Sequence, residues 1–298
     1  MSEITLLDGS IGQELVKRTG ERATPLWSTQ VMIDHPEAVG AVHADYFAAG
    51  ATIASTNTYA LHHNRLARVG LEGQLDALRA VAVAQARAAR ESYPAGRIAG
   101  CLGPMLASYR PDLAPDLAEA EAQFDQMAAF LAPDVDILLA ETVCSVQEAQ
   151  GVLRGITGHG KPVWIAFSVQ DDDGTRLRSG EALSAILPLV ARHKPDAVLI
   201  NCSRPEAIGA GLPVLAQTGL PFGAYGNGFV EISEGFLKDN PTVDALRQRV
   251  DLTPDAYADI AMSWLDQGAT ILGGCCEVGP AHITEIARRL RAAGHTIV

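Results

Sequence analysis

Apolar residues along the chain alternate between two patterns. Short runs of β-favouring apolar residues occur eight times, and longer segments with apolar residues at i, i+3, i+4 and i+7 lie between them. The short runs predict strands over residues 5–8, 52–55, 97–100, 136–139, 163–167, 197–200, 221–224 and 269–272. The longer segments predict helices over residues 36–49, 74–92, 119–131, 145–156, 181–193, 205–217, 254–266 and 280–293.

End signals support several of these helices. Thr253 precedes Pro254, and Ser145 is followed three positions later by Glu148, as at capped helix starts. Glycines stand where helices are expected to end, at positions 50, 219, 268 and 294. The sequence therefore predicts a regular alternation of strands and capped helices.

This alternation predicts a (β/α)8 TIM barrel that forms a single domain over residues 1–298. In such a barrel the catalytic groups lie at the carboxyl ends of the strands. A doubly wound open sheet is the alternative fold. It lacks local support, since no Gly-x-Gly-x-x-Gly follows the first strand and no phosphate-binding Gly-x-x-x-x-Gly-Lys-Ser/Thr occurs.

The charge balance argues against polyanionic partners. The 298 residues include 23 Lys and Arg against 35 Asp and Glu, which gives a formal net charge of -12 and repels nucleic acid and anionic lipid.

No apolar stretch is long enough for a membrane helix, and the start lacks an export signal. Five cysteines are an odd set, so free or metal-bound thiols in the cytoplasm are expected. The oligomeric state, a homo-oligomer included, stays open.

Polar and glycine residues follow each predicted strand, where a barrel would collect its chemistry. The strand ends read Asp8-Gly9-Ser10, Thr56-Asn57-Thr58-Tyr59, Cys101-Leu102-Gly103-Pro104, Glu141-Thr142, Ser168, Asn201-Cys202-Ser203, Tyr225-Gly226-Asn227 and Gly273-Gly274-Cys275-Cys276. We expect these side chains to share one mouth of the barrel.

The cysteines at two of these ends predict a metal site. Successive side chains of a regular strand point to opposite faces, so Cys275 and Cys276 cannot both face the axis without a break in the pleat. We expect Gly273 and Gly274 to supply that break through positive φ or a bulge. With Cys202, three sulfurs can hold one zinc at about 2.3 Å each and leave its fourth position open. Buried structural cysteines are the alternative reading.

Other candidate ligands lack this convergence. Cys101 and Cys144 have no neighbouring ligand set and are expected in the core or behind the site. His62 and His63 follow the second strand and are expected in a solvated loop, although they could approach the site.

Taken together, these motifs resemble the zinc-dependent homocysteine S-methyltransferases, which include the S-methylmethionine-dependent and betaine-dependent enzymes. The resemblance runs through Leu7-Asp8-Gly9, Leu26-Trp27-Ser28, Thr56-Asn57-Thr58-Tyr59, Glu141-Thr142, Arg176-Leu177-Arg178-Ser179-Gly180, Asn201-Cys202 and Gly273-Gly274-Cys275-Cys276. It implies a (β/α)8 barrel, Zn2+ on the three cysteines, and homocysteine bound with its sulfur as the fourth ligand.

The resemblance also implies residues for the amino-acid end of the substrate. Asp8 and Gly9 match the first-strand pair that lines the pocket, and Glu141 matches the carboxylate that receives the ammonium. Backbone N–H groups near Gly9 and Ser10 are expected to hold the carboxylate. Asn201 matches the residue before the first zinc ligand.

A cationic methyl donor favours an aromatic wall, for which Trp27, Tyr59 and Tyr225 are candidates. The donor is S-methylmethionine, S-adenosylmethionine or betaine, which the sequence does not separate, and the product is methionine. Methyl-folate through cobalamin is disfavoured, because no cobalamin signature is present and the chain is too short for a folate domain.

Two positions depart from the family pattern. Gly226 stands where relatives usually have proline, and Glu277 follows the cysteine pair where glycine or a small or basic residue is common. Methyl transfer to another thiol or selenol therefore stays open, as does a non-catalytic barrel in which Glu277 or Tyr59 ligates the metal permanently. A zinc hydrolase is disfavoured, since hydrolases prefer histidine and carboxylate ligands.

Overall fold

The computed structural model describes residues 2–20, 26–233, 235–237 and 246–298. The strands are β1 Glu3–Leu6, β2 Ile53–Ser55, β3 Arg97–Leu102, β4 Ile137–Val143, β5 Val163–Phe167, β6 Ala197–Asn201, β7 Phe222–Gly226, β8 Ile271–Gly274 and β9 Thr296–Ile297. The α-helices are α1 Ile11–Thr19, α2 Ser28–Asp34, α3 Pro36–Ala49, α4 His63–Ala67, α5 Leu75–Glu91, α6 Leu117–Leu131, α7 Val146–Ile156, α8 Leu187–His193, α9 Pro205–Ala216, α10 Pro254–Leu265 and α11 Pro280–Ala292. Short 3₁₀ helices cover Glu72–Gln74, Pro111–Leu113, Ala132–Asp134 and Leu183–Ile186.

The strands form a closed parallel barrel. Each strand from β2 to β8 pairs in parallel with the next, and β8 pairs with β1. A parallel bridge between Leu7 and Ile53 closes the ring, supported by hydrogen bonds from Thr52 N to Leu6 O (2.7 Å) and from Asp8 N to Ile53 O (3.1 Å). The predicted (β/α)8 barrel is confirmed, and the doubly wound alternative is wrong because the sheet has no open edge between β1 and β2.

The core has two layers because alternate strand residues face opposite sides of the sheet. One apolar cluster fills the barrel interior and contains Leu7, Ile53, Ala99, Ile137, Leu139, Trp164, Ala166, Ala197, Leu199, Tyr225 and Ile271. A larger cluster packs the outward strand residues against the helices. The filled interior leaves the mouth at the carboxyl ends of the strands as the place for chemistry.

The predicted helix signals are observed. The hydroxyl of Thr253 accepts a hydrogen bond from Ala256 N at 3.2 Å, and that of Ser145 accepts one from Glu148 N at 3.1 Å. Gly50 ends α3 with φ at 109°, and the other three glycines also have positive φ. No helix in the described part of the chain is long and apolar enough to cross a membrane.

The sequence analysis missed α1, α2, α4 and β9. These elements are short, between 2 and 9 residues, so each offers too few turns or alternations for a periodic signal. Two of them matter for the site, because α1 and α4 bring polar side chains to the mouth of the barrel.

Candidate functional site

Three cysteine sulfurs converge at the mouth. Cys202 directly follows β6, and Cys275 and Cys276 directly follow β8. All three Sγ atoms lie within 4.8 Å of one another. Cys202 and Cys275 are in disulfide contact with their Cα atoms 5.7 Å apart, while the Sγ atoms of Cys202 and Cys276 are 3.8 Å apart. The predicted convergence is therefore observed, and the pairing of two cysteines differs from the expectation that all are free.

The turn that aims the sulfurs is not made by the glycines. Gly273 and Gly274 continue β8 in regular register with Tyr225 and Gly226 of β7, and neither has positive φ. The positive φ values lie at Glu277 (65°) and at Cys202 (48°). The predicted break at the two glycines is wrong, because the strand ends at Gly274 and the cysteines belong to the turn that follows.

The glycines are needed for close packing instead. A Cβ added to Gly273 would lie 2.6 Å from Leu7 Cβ, and one added to Gly274 would lie 2.2 Å from Val278 Cγ1. Val278 also closes the cysteine turn, since its N–H donates to Cys275 O at 3.1 Å. The absent side chains let the turn fold back onto β8.

We expect Gly274→Ala to destabilise the protein by about 1–3 kcal/mol, as overpacking in a well-packed site does. Because Val278 must shift and with it the cysteine turn, metal retention should fall as well. Urea denaturation and metal analysis of the purified variant measure both effects. Gly73→Ala is the matched control, since an added Cβ there meets nothing within 4 Å. Equal stability of the two variants would contradict the packing argument.

The sulfur arrangement fits a thiolate-bound metal ion. Two metal–sulfur bonds of about 2.3 Å at the tetrahedral angle separate the sulfurs by about 3.8 Å, which matches the distance between Cys202 and Cys276. Among the described residues, only the three cysteines form a metal-capable group. Burial, and after it the nearby Glu277 carboxylate, raise the pKa of Cys276 to about 12. Once the Cys202–Cys275 pair is reduced, the donor set is three thiols, with no fourth protein ligand in the described chain.

A partly buried ion pair holds the backbone of Cys202. Arg178 donates to Cys202 O at 3.2 Å and to both carboxylate oxygens of Asp171 at 2.7 and 3.1 Å. Its guanidinium also lies 5.0 Å from the centre of the Tyr109 ring. Arg178 belongs to a motif that the sequence analysis singled out without assigning a role, and the structure shows that it holds the backbone of the cysteine at β6.

Two carboxylates occupy the inner end of the mouth. Glu141 accepts hydrogen bonds from Tyr225 OH at 2.8 Å and from Cys101 Sγ at 2.6 Å. Asp8 accepts from the N–H and hydroxyl of Ser55 at 2.6 and 3.0 Å. Burial raises the pKa of Asp8 to about 8 against the lowering effect of the Ser55 bonds, and burial also raises the pKa of Glu141. These groups form an electronegative pocket suited to a cation.

Asn201 shapes the neighbouring backbone. Its amide oxygen accepts from Thr142 N at 3.0 Å, and its amide nitrogen donates to Thr142 Oγ1 at 3.2 Å. Thr142 has φ at 59°, a conformation that a β-branched residue rarely adopts. Asn201 therefore holds Thr142, next to Glu141, in a backbone conformation that Thr142 would not keep alone. This is consistent with the expectation that Asn201 helps to shape the site.

The start of α1 supplies different donors from those predicted. The N–H of Ser10 donates to Val278 O at 2.9 Å, so of the N–H groups predicted near Gly9 and Ser10 to hold a substrate carboxylate this one is already engaged, and the prediction stays open for Gly9. The Ser10 hydroxyl instead caps α1 and donates to Gln13 Oε1 at 2.6 Å. Gln13 is 4% exposed, and its Nε2 has no partner in the described chain. At Gly9 an added Cβ would lie 2.1 Å from Val278 O, which explains the glycine there.

The aromatic residues divide between two ends of the site. Trp27 and Tyr59 pack edge to face with ring centres 6.2 Å apart, as expected for a wall. The hydroxyl of Tyr225 donates a hydrogen bond to Glu141, so Tyr225 belongs with the carboxylates and not with the aromatic wall. The sequence analysis missed Tyr109 and Phe236, which pack together beside the cysteines. No motif marks these two residues, because they lie in loops outside the strand ends.

Most of these groups line one cavity of roughly 270 Å³. The predicted site residues that line it are Asp8, Gly9, Ser10, Trp27, Tyr59, Glu141, Asn201, Cys202, Tyr225, Cys275 and Cys276. His62 and His63 do not. His62 is buried against Phe124, so the predicted solvated loop is wrong for that residue, whereas His63 is exposed at the start of α4.

The two departures from the family pattern have structural roles. Glu277 accepts a hydrogen bond from Lys17 Nζ at 2.7 Å, and Tyr59 OH is bonded to Ser108 at 2.8 Å. Neither residue belongs to the metal-capable group of the described chain. Gly226 donates its N–H to Tyr257 OH at 2.9 Å, a bond that proline cannot make.

Comparison with known proteins identifies close relatives of this arrangement. A family model described as homocysteine S-methyltransferase matches residues 5–290. The chain is 31% identical to a homocysteine S-methyltransferase of Escherichia coli, over 96% of this chain and 95% of the relative. It is also similar to structures of the homocysteine methyltransferase MmuM from Escherichia coli. The metallated form has a TM-score of 0.81 at 29% identity and the oxidized form one of 0.80 at 30%, each covering 96% of both chains.

Proposed function

Because the chain belongs to the homocysteine S-methyltransferase family, we propose that it transfers a methyl group from a sulfonium or quaternary ammonium donor to the thiol of L-homocysteine, giving methionine. The observation that carries this proposal is the convergence of three cysteine sulfurs beside a pair of buried carboxylates in one cavity. A thiol site and an ammonium site at the same mouth suit a small amino acid that ends in a thiol.

The metal that we propose is zinc, held by Cys202, Cys275 and Cys276. Three thiolates with an open fourth position are typical of a catalytic zinc, and softer sulfur ligands disfavour magnesium or calcium. When bound, zinc supplies a Lewis acid that favours the deprotonated form of a thiol. A set of free or metal-binding thiols also favours a cytoplasmic location.

Residues at the inner end bind and orient the acceptor. Asp8 and Glu141 receive its ammonium, and Tyr225 and Cys101 fix the Glu141 carboxylate by donating one hydrogen bond to each oxygen. A cation between the two carboxylates offsets the burial that raises the pKa of Asp8. The unpartnered amide of Gln13 and the backbone at Gly9 are the donors that we assign to the acceptor carboxylate.

The transfer itself needs alignment and no proton donor. The thiolate sulfur of homocysteine forms a bond to the methyl carbon, and the bond from that carbon to the donor sulfur or nitrogen breaks with its electron pair. The leaving group departs neutral, so no side chain has to protonate it. Trp27, Tyr59 and Tyr109 enclose the cationic centre and exclude water.

The test is a side-by-side assay of the three donors with homocysteine, joined to metal analysis of the same preparation. We expect methionine to form with at least one of these donors, and we expect activity to follow zinc content as a chelator removes the metal. Full activity in a zinc-free preparation would refute the role of the metal. Selenocysteine and other thiols offered as acceptors establish whether homocysteine is preferred.

A further inference from the structure

The cavity also contains two arginines that the binding of the acceptor does not use. Arg65, on α4, and Arg68, just after α4, both line it. Arg65 donates to Pro104 O through Nε at 3.2 Å and through Nη2 at 2.7 Å. Its guanidinium carbon lies 5.6 Å from the centre of the Tyr59 ring. The side chain is therefore held in place by neutral groups, and Nη1 donates to none of the described residues.

Arg79 is a second arginine with similar contacts and serves as a comparison for Arg65. Arg79 donates through Nε and Nη2 to Leu61 O at 3.2 and 3.1 Å and lies 5.7 Å from the Phe130 ring centre. Arg79 also has a carboxylate partner, Asp76, at 3.6 Å, and it does not line the cavity. Arg65 is thus held like Arg79, but in the described chain it lacks the acidic partner.

The electrostatic surroundings of Arg65 are unfavourable without an anion. Burial lowers the pKa of Arg65, the neighbouring Tyr59 hydroxyl raises it, and the positive charge of Arg68 lowers it. The charge of Arg65 in turn contributes to the lowered pKa of the buried His62. A partly desolvated cation beside another cation is stabilised most by a carboxylate, which matches the guanidinium fork with two hydrogen bonds.

Tyr59 connects Arg65 with the cysteines. Its ring lies next to both Arg65 and Trp27, and Tyr59 and Cys276 line the same cavity. A molecule that lies along Tyr59 with a carboxylate at Arg65 therefore presents its other end toward the cysteine cluster. The acidic pair of Asp8 and Glu141 is a separate feature of the same cavity.

We propose that Arg65 binds the carboxylate of the methyl donor and so selects donors that carry a carboxylate as well as an onium methyl group. This assignment rests on the proposed methyl transfer for the identity of the ligand. Arg65 then determines specificity for the donor and leaves the binding of homocysteine unaffected. Arg68 is exposed, also lines the cavity, and adds positive charge without a hydrogen bond or ion pair to a described residue.

The test is calorimetric titration of the zinc-loaded protein with S-methylmethionine and with its methyl ester, which removes only the carboxylate charge. The wild type should prefer the acid about tenfold or more, as expected for a hydrogen-bonded charge pair. Arg65→Met should abolish this preference, and Arg65→Lys should keep part of it, since lysine retains the charge without the fork. Arg79→Met, held by the same kind of contacts outside the cavity, should keep the whole preference.

Each contrary result has a definite meaning. A preference for the acid that survives in Arg65→Met, or a wild type that binds acid and ester equally or binds neither, overturns the assignment of Arg65. Steady-state assays of the same variants add a second readout, in which Arg65→Met should raise the donor KM and leave the homocysteine KM unchanged. If the binding preference is present but the wild type transfers no methyl group, the proposed function fails and the carboxylate site stands.

Discussion

Replacement of Cys276 by serine is expected to abolish methyl transfer and to release the metal. A serine hydroxyl is a poor ligand for zinc. Removing a residue that only hydrogen-bonds to a metal ligand lowers metal affinity about 10–100-fold, and removing one of the three thiolates themselves should lower it more. We therefore expect metal affinity to fall by more than about 100-fold. Competition with a chromophoric chelator measures the affinity, and the methionine assay measures activity.

Cys144→Ser is the matched control for this experiment. Cys144 is buried in the same cluster as Cys202, and its thiol donates to Thr142 O at 3.2 Å, a bond that serine can also make. This variant should retain zinc and activity. If both serine variants lost the metal equally, the loss would report damage to the cluster and would not identify Cys276 as a ligand.

In the protein without bound substrate, replacement of Asp8 by asparagine is expected to remove a loss of folding stability that grows as pH rises. The pKa of Asp8 is about 8 in the folded protein against 3.8 without the fold. The folded state therefore holds a proton that the unfolded chain has lost, so stability is full below pH 3.8 and declines as pH rises through 8. The total loss is on the order of 5 kcal/mol, at about 1.4 kcal/mol per pH unit.

Asp8→Asn should therefore gain stability relative to the wild type as pH rises from 5 to 8, while homocysteine binds at least about tenfold more weakly. Urea denaturation at several pH values and the homocysteine KM measure the two effects. Asp136→Asn is the control. Asp136 also accepts from a backbone N–H of a neighbouring strand, that of Ile98 at 2.7 Å, but it is partly exposed and precedes β4 at the opposite end of the barrel. A constant difference between Asp8→Asn and the wild type across this range would contradict the assigned pKa.

The sequence was sufficient to predict the barrel because its eight strand–helix units repeat long enough for periodicity to register. Residues at strand ends could be predicted for the same reason, since a parallel barrel brings every carboxyl end to one mouth. Asp8, Glu141, Asn201 and the cysteines were found in this way. The structure places them as expected in one cavity.

The parts that could not be predicted depend on contacts that are distant in sequence. Gln13 and Arg65 lie on helices of 9 and 5 residues, too short to be recognised, and only the fold brings them to the cavity. The roles of Gly273 and Gly274 were misjudged because a glycine in a sequence does not show whether it is needed for positive φ or for space. Tyr109 reaches the cysteines only through the packing of loops.

The bond between Gly226 and Tyr257 joins two neighbouring strands. Tyr257 OH accepts from Gly226 N at 2.9 Å and donates to Gly273 O at 2.7 Å, which ties β7 to the strand that leads into the cysteine pair. A Cβ at Gly226 would also lie 2.9 Å from Pro205 Cγ. Gly226→Pro alone would break this tie and crowd the start of α9, so we expect the glycine, the tyrosine and the helix start to tolerate change only together.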